Sequence, residues 1–217
     1  MRSKAAIAQA VEHDRLMVRR LAILISIFVA WPAAAVSIRS AADALKQGRT
    51  LLVADEPICA SHPLPLFYSR RDFTPAWTSV LDRNDLLQAI RNAGRDGLDP
   101  SDYHLAAIVR TQNPDDRDLL LSDAFFLLTA HLLAGRVDPI SIEPTWCLEP
   151  RTTDLVAALE TALELHDIVG TVGRMAPADR RYSAMRDALA AYRQLAAIGE
   201  WPQIGGGCGL RNGDLVW

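Results

Sequence analysis

The clearest pattern in the chain is a run of about 20 positions that would be apolar on nearly every face of a helix. Residues 115–134 are mostly leucine, phenylalanine and alanine, interrupted by Asp118, Asp123 and His131. A helix that is hydrophobic all round is buried in a core. Asn113–Pro114 supplies an N-cap and a first-turn proline directly before it. This segment is therefore predicted to be the buried central helix of the protein.

Shorter segments on both sides of the central helix repeat apolar residues at helical spacing, which predicts amphipathic helices. They are a short segment between residues 36 and 52, then 66–71, 83–93, 100–110, 154–165, 167–175 and 182–196. Only Leu51–Ala54 has an extended pattern. The predicted fold class is all-α, a compact helical bundle from about residue 50 to 198 that is wrapped around residues 115–134.

One stretch between two predicted helices has the residues of a rigid corner. Gly94 is expected to end the first helix, and Gly97 offers a position where a positive φ costs little. Asp99 and Pro100 then form an N-cap and first helical position. The corner displays three aspartates: Asp96, Asp99 and Asp102.

The first 35 residues have the layout of a secretory signal peptide. Arg19–Arg20 precedes an apolar run from Leu21 to Trp31, and Ala33–Ala35 resembles a cleavage site. Cleavage after Ala35 would make Val36 the mature N-terminus. Two alternatives stay open: an uncleaved inner-membrane anchor, and a true start at Met17. The predicted organisation is a signal peptide over 1–35, a helical domain over 36–198, and a Gly-rich linker over 199–217.

Composition narrows the function classes. Half of the 217 residues are hydrophobic and the formal net charge is −3, which argues against a disordered chain and against a nucleic-acid partner. No His, Cys or Asp spacing indicates a metal site, and no Gly-rich loop indicates a phosphate, so no cofactor is predicted. Cys59 and Cys147 lie in predicted loops; the sequence leaves open whether they form a disulfide.

Structural roles explain most residues that invite a catalytic interpretation. Asp99 and Asp102 are accounted for by capping and turn chemistry. His131 is interpreted as a satisfied core residue, and Trp77 as a core residue rather than a sugar-stacking one. No catalytic, cofactor-binding or metal-binding residue is assigned.

Four motifs, in order, resemble the N-terminal scaffold domain of the large Gram-negative L,D-transpeptidases, over roughly residues 50–214. They are Phe67–Trp77 ("FYxxRxxxPAW"), Asp96–His104 ("DGLDPxDYH"), Asp118–Phe125 ("DLLLTDAF") and His131–Pro139 ("HLxxGRVDP"). The segment from Trp201 to Asp214 resembles the linker that follows this domain in the family.

The resemblance implies a role in cell-wall cross-linking. In the family, a histidine-activated cysteine of a separate domain attacks a peptidoglycan stem peptide, and an acceptor amine resolves the thioester. Cys208 has a glycine before it, but it lacks the family's serine and its arginine is displaced by one position. Cys208 is therefore expected to be a linker cysteine.

Two functional hypotheses follow from the resemblance. The chain is expected to be the scaffold domain of a truncated L,D-transpeptidase, periplasmic and inactive alone. Alternatively, it is a stand-alone, non-catalytic module that binds peptidoglycan or a cell-wall synthase. Membrane association is expected only if the signal peptide is uncleaved.

Overall fold

In a computed structural model of the protein, the described residues 36–199 are mostly helical. They contain nine α-helices: α1 (Ile38–Lys46), α2 (Pro63–Arg70), α3 (Val80–Asn92), α4 (Leu105–Arg110), α5 (Pro114–Ala134), α6 (Pro139–Ile142), α7 (Leu155–Leu165), α8 (Ile168–Met175) and α9 (Arg180–Ala197). Two 3₁₀ turns, Ala93–Asp96 and Pro100–Tyr103, follow α3 and precede α4. Strands β1 (Leu52–Val53) and β2 (Glu56–Pro57) form a two-stranded antiparallel hairpin. The predicted all-α class is confirmed.

Helix α5 is the centre of the core, as the hydrophobic pattern predicts. It begins at Pro114, one residue earlier than predicted, and the Asn113 side chain caps it by accepting from the N–H of Asp116. Helices α2, α3, α7 and α8 pack around it. Its buried apolar residues are Leu119, Leu120, Leu121, Ala124, Phe125, Phe126, Leu128 and Leu132.

The corner lies between α3 and α4 and differs from its prediction at Gly94. Helix α3 begins at Val80 and ends at Asn92, and a 3₁₀ turn carries the chain on past Gly94 to Asp96. The left-handed residue that ends this turn is Gly97, with φ of 80°. Asp99 does cap the next turn, because its side chain accepts from the N–H of Ser101 at 2.9 Å.

The single helix predicted over 100–110 is wrong, because His104 divides it. His104 has φ of 55°, in the left-handed region, where histidine is several-fold enriched among non-glycine residues. A helix cannot continue through such a residue. The change of direction lets two consecutive side chains, Tyr103 and His104, both be buried.

The bundle begins earlier than residue 50. Helix α1 packs against α2, and its residues Ile38 and Leu45 belong to the core. Helix α2 begins at Pro63 and not at residue 66 as predicted, because proline fits the first turn of a helix, where a missing N–H costs nothing. The segment predicted as extended, Leu51–Ala54, forms β1 and the first residue of the hairpin turn.

Helix α9 forms where predicted but does not contribute to the core. None of its residues is buried, and the predicted apolar positions Met185 and Tyr192 are 71% and 69% exposed. Polar side chains face the corner instead: Tyr182, Arg186 and Arg193 each contact Gly94 or Asp96. Helical spacing predicts the helix, but it does not identify which face meets the body.

Several predictions fall outside the described residues. These are the signal peptide over 1–35, nearly all of the linker over 199–217, and Cys208 within it. Among the helices of residues 36–199, none is long and apolar enough to cross a membrane.

We predict that Leu128→Ala lowers the free energy of unfolding by about 2–5 kcal/mol, the range for a packed leucine replaced by a cavity. Leu128 is completely buried on α5. Urea denaturation would measure the change. Leu81→Ala is the matched control, because Leu81 is 72% exposed and its replacement is expected to cost about 0.5 kcal/mol or less. Equal effects of the two replacements would contradict the central position of α5.

Candidate functional site

Asp118 on α5 holds the loop between α2 and α3. Its carboxylate accepts hydrogen bonds from the backbone N–H of Ala76, at 2.9 Å, and of Trp77, at 2.8 Å. The Tyr68 hydroxyl donates to the same carboxylate at 2.6 Å. Burial raises the pKa of Asp118, although these three donors act in the opposite direction. Asp118 thus attaches the loop between α2 and α3 to the central helix.

Ser122, one turn further along α5, extends the Asp118 contacts. Its hydroxyl accepts from the indole N–H of Trp77 at 3.0 Å and lies 2.8 Å from the Tyr68 hydroxyl. Trp77 is 3% exposed, which confirms its assignment to the core. The "FYxxRxxxPAW" and "DLLLTDAF" motifs therefore meet at one buried cluster.

Asp123 performs the same task for a second loop. It is completely buried and accepts from the backbone N–H of Cys59, at 3.1 Å, and of Ala60, at 2.7 Å. His104 donates to its other oxygen from Nε2 at 2.7 Å. Nδ1 of His104 lies 3.4 Å from a carboxylate oxygen of Glu56. The left-handed turn at His104 thus brings a histidine between two acidic groups.

The two carboxylates determine the charge state of His104. Burial alone would lower its pKa, but hydrogen bonding and charge from Asp123, joined by those from Glu56, outweigh burial and raise the pKa above its usual 6.5. The imidazole is therefore more easily protonated than a free one, and both of its ring nitrogens face carboxylates.

Cys59, the nearest thiol to this histidine–carboxylate cluster, is not activated by it. Burial, followed by the negative charge of Asp123, raises the pKa of the Cys59 thiol. A nucleophilic cysteine requires the opposite shift. Cys59 and Cys147 are both exposed free thiols, so the structure answers the open question about a disulfide in favour of two unbonded cysteines.

The aspartate-rich corner and α9 enclose a cleft. A cavity of about 450 Å³ is lined by residues that include Asp96, Leu98, His131, Arg136 and Tyr182. Asp96 accepts from the Tyr182 hydroxyl at 2.9 Å and pairs with Arg186 at 3.2 Å. Burial, followed by Asp96, raises the pKa of Tyr182 to about 12, so its hydroxyl remains a donor.

A second pair of contacts closes the other wall of the corner cleft. Asp102 forms an ion pair with Arg136 at 2.8 Å. The Tyr103 hydroxyl lies 3.0 Å from Nδ1 of His131. Burial, followed by the charge of Arg136, lowers the pKa of His131, so the ring favours its neutral form, in which Nδ1 can accept a hydrogen bond from the Tyr103 hydroxyl. The "DGLDPxDYH" and "HLxxGRVDP" motifs are thereby joined.

A neighbouring cavity of about 510 Å³ lies between the corner and α9 and is lined largely by basic residues. Arg95, Arg186 and Arg193 contribute three guanidinium groups, beside Ser183 and Asp187. Within residues 36–199, Arg186 pairs with Asp96 and Arg193 donates to the carbonyl of Gly94. The arrangement offers hydrogen-bond donors for an anionic group, and the Ser183 hydroxyl beside them donates to the carbonyl of Arg180.

The structure thus places the sequence candidates as follows. Asp96, Asp99 and Asp102 are separate: each has its own partner, so they do not form a paired acid–base site. His131 is half-buried, has Tyr103 as its partner, and lines the corner cleft instead of lying wholly within the core. Among the described residues, no group of three His, Cys, Asp or Glu side chains is arranged to hold a metal ion.

Sequence inspection missed two sets of residues. Asp118 and Asp123 were noticed only as interruptions of an apolar helix, although buried carboxylates require donors. Arg186 and Arg193 are seven positions apart, which puts them on one face of α9. That spacing is a usable signal, but its meaning depends on what the face meets.

We predict that Asp118→Ala lowers the free energy of unfolding by about 3 kcal/mol or more, because it leaves two buried backbone donors and the Tyr68 hydroxyl without their acceptor. Chemical denaturation would measure the loss. Asp115→Ala is the control on the same helix: it removes only a first-turn acid, worth about 1 kcal/mol or less. A similar cost for both variants would contradict the fastening role of Asp118.

We also predict that His104 stabilises the fold most strongly at low pH. Since its folded pKa lies above the usual 6.5, its stabilisation is complete below pH 6.5 and is lost as the pH rises through the folded value. The deficit of His104→Asn in free energy of unfolding should therefore shrink between pH 6 and pH 9. Asparagine tolerates the left-handed backbone.

The backbone effect of replacing the left-handed His104 is the same at every pH, so the change in the deficit between pH 6 and pH 9 isolates the contribution of the imidazole. A deficit of His104→Asn that stayed constant with pH would show that the charge of the imidazole does not matter.

Comparison with known proteins agrees with the motif analysis. Residues 62–189, more than half of the 217, match the family described as Scaffold domain. Searches of the curated proteins and of the solved structures each returned no match. The matched range runs from the residue before α2 to the middle of α9, and it includes all four motifs. The family match is consistent with the resemblance to the scaffold domain of L,D-transpeptidases, and the chain belongs to the Scaffold-domain family.

Proposed function

We propose that the chain is the scaffold domain of an L,D-transpeptidase and takes part in peptidoglycan cross-linking as a structural module. The observation that carries the proposal is the family match over residues 62–189. In addition, residues of all four sequence motifs form contacts within the domain. Asp118, Asp123 and His104 fasten loops to α5, and Asp102 fastens the segment after α5. Residues committed to internal contacts suit a domain that supports chemistry carried out elsewhere.

The proposal assigns the nucleophile to another domain or another protein. Cys59 is unsuited to the role, since its thiol pKa is raised. His104 is held between the carboxylates of Asp123 and Glu56, so both ring nitrogens already have acidic partners and neither is left to activate a thiol. In this proposal the chain is exported to the periplasm through residues 1–35, where peptidoglycan is accessible.

A second candidate function is binding without catalysis, to peptidoglycan or to a cell-wall synthase. The cavities beside α9 favour it, because they present guanidinium groups and an open cleft on the surface. The two functions are compatible with the same fold, and they differ in whether the chain itself captures wall material.

We predict that the purified chain forms no covalent adduct with meropenem. A carbapenem acylates an activated thiolate, because its lactam carbonyl imitates the donor amide. Intact mass spectrometry after incubation would measure adduct formation, and iodoacetamide would confirm that the thiols are accessible. A stoichiometric adduct that disappears in Cys208→Ser would overturn the structural role and make the chain a transpeptidase.

Muropeptide analysis tests the positive half of the proposal. Cells that lack the gene should contain fewer cross-links made through the third residue of the donor stem, and the wild-type chain should restore them. The folding variant Asp118→Ala should restore fewer. Unchanged cross-linking in deletion cells, with purified chain that sediments with isolated sacculi, would favour the binding function instead.

A further inference from the structure

Asp116, in the first turn of α5, has an incompletely satisfied carboxyl group. Its oxygen Oδ1 is buried and is the one such side-chain atom within residues 36–199 that lacks a hydrogen-bond partner. The same carboxyl group accepts a hydrogen bond from the backbone N–H of Val36. Buried polar atoms normally have partners, so an orphan oxygen beside a donor asks for an explanation.

The position of Val36 relative to Asp116 is fixed from both sides. Ser37 caps α1 by accepting from the N–H of Ser40 at 3.3 Å, and the Val36 side chain packs against the core. On the other side, the N–H of Asp116 donates to the Asn113 side chain at 3.0 Å. The nitrogen of Val36 is therefore held beside the carboxyl group by ordered elements and not by chance contact.

Val36 is also the residue that the sequence predicts as the mature N-terminus. Hydrolysis of the bond between Ala35 and Val36 consumes one water, leaving a carboxylate on Ala35 and an ammonium group on Val36. A peptide nitrogen carries one hydrogen, whereas an ammonium group carries three and a positive charge. One nitrogen could then donate to both oxygens of Asp116.

We propose that Asp116 is the binding site for the α-ammonium group of Val36, formed when the chain is cleaved after Ala35. The proposal rests on the export part of the proposed function, and it is independent of any role in cross-linking. Before cleavage the carboxylate pairs with an amide and keeps an orphan oxygen; after cleavage it gains a charged partner.

The electrostatics of the site agree with a missing cation. Burial, followed by the negative charge of Asp115, raises the pKa of Asp116, and the hydrogen bond from the N–H of Val36 offsets part of the rise. Burial and the charge of Asp115 penalise the charged carboxylate, and both would be offset by an adjacent ammonium group.

Cleavage would consequently strengthen the attachment of α1 to the core. The ion pair would tie the first residue of the mature chain to the central helix. Processing would then complete the fold of the exported protein, in addition to releasing it from its leader.

The test uses protein expressed with its own leader and purified from the periplasm. N-terminal sequencing identifies the first residue, and limited acylation at pH 7 measures the reactivity of its amine. Only a neutral amine reacts, so an ion pair that raises the pKa of the α-amino group by about one unit slows acylation about tenfold. Lys46, the only lysine after residue 35, is exposed and serves as the internal standard.

We expect an N-terminus at Val36, slow acylation of it, and an increase in rate of about tenfold in Asp116→Asn. Asp115→Asn is the matched control, which removes a neighbouring charge of the same sign and should leave the rate within about twofold. An N-terminus other than Val36 would overturn the proposal through its export part. A Val36 amine that reacts equally fast in wild type and Asp116→Asn would overturn the ion pair itself.

Discussion

The fold depends on the hydrogen bonds that Asp118 accepts inside the core. A charged oxygen in an apolar interior is costly unless donors surround it, and here Ala76, Trp77 and Tyr68 provide them. Because the carboxylate needs these donors, the loop before α3 can adopt only a conformation that points its N–H groups at α5. Trp77 then enters the core, with its indole N–H on Ser122. One buried acid thereby fixes a loop, an aromatic side chain and the start of the next helix.

The same arrangement recurs at Asp123, so α5 holds two loops from one helix. Asp123 takes the backbone of Cys59 and Ala60 on one oxygen and His104 on the other. The histidine can reach it because the chain passes through a left-handed residue at that position. The four sequence motifs are therefore better explained by folding than by catalysis. Each buried aspartate needs hydrogen-bond donors at defined positions, and each motif supplies either an acid or some of its donors.

The sequence predicted the elements better than their contacts. The apolar run over 115–134 specifies a buried helix almost to the residue, because burial on all faces leaves a direct pattern. The division of 100–110 was missed, because the burial of His104 depends on Asp123, which is 19 positions away and on another element. For α9, helical spacing predicts the helix but not how it is attached, since Tyr182, Arg186 and Arg193 meet the corner through polar groups. Local patterns determine helices, whereas partners across the fold decide which face is used.

The helices differ in how firmly they are held to the rest of the domain, and therefore in local stability. Helices α2, α3, α5, α7 and α8 share a continuous apolar core, while α9 has no buried residue and is held to the corner by polar contacts to Asp96 and Gly94. Few buried contacts imply low local stability, so α9 should open more readily than the core helices. The cavities of the corner lie under that helix. A rigid body with one weakly attached helix over its clefts can change its surface without unfolding, which suits the structural role proposed for this domain.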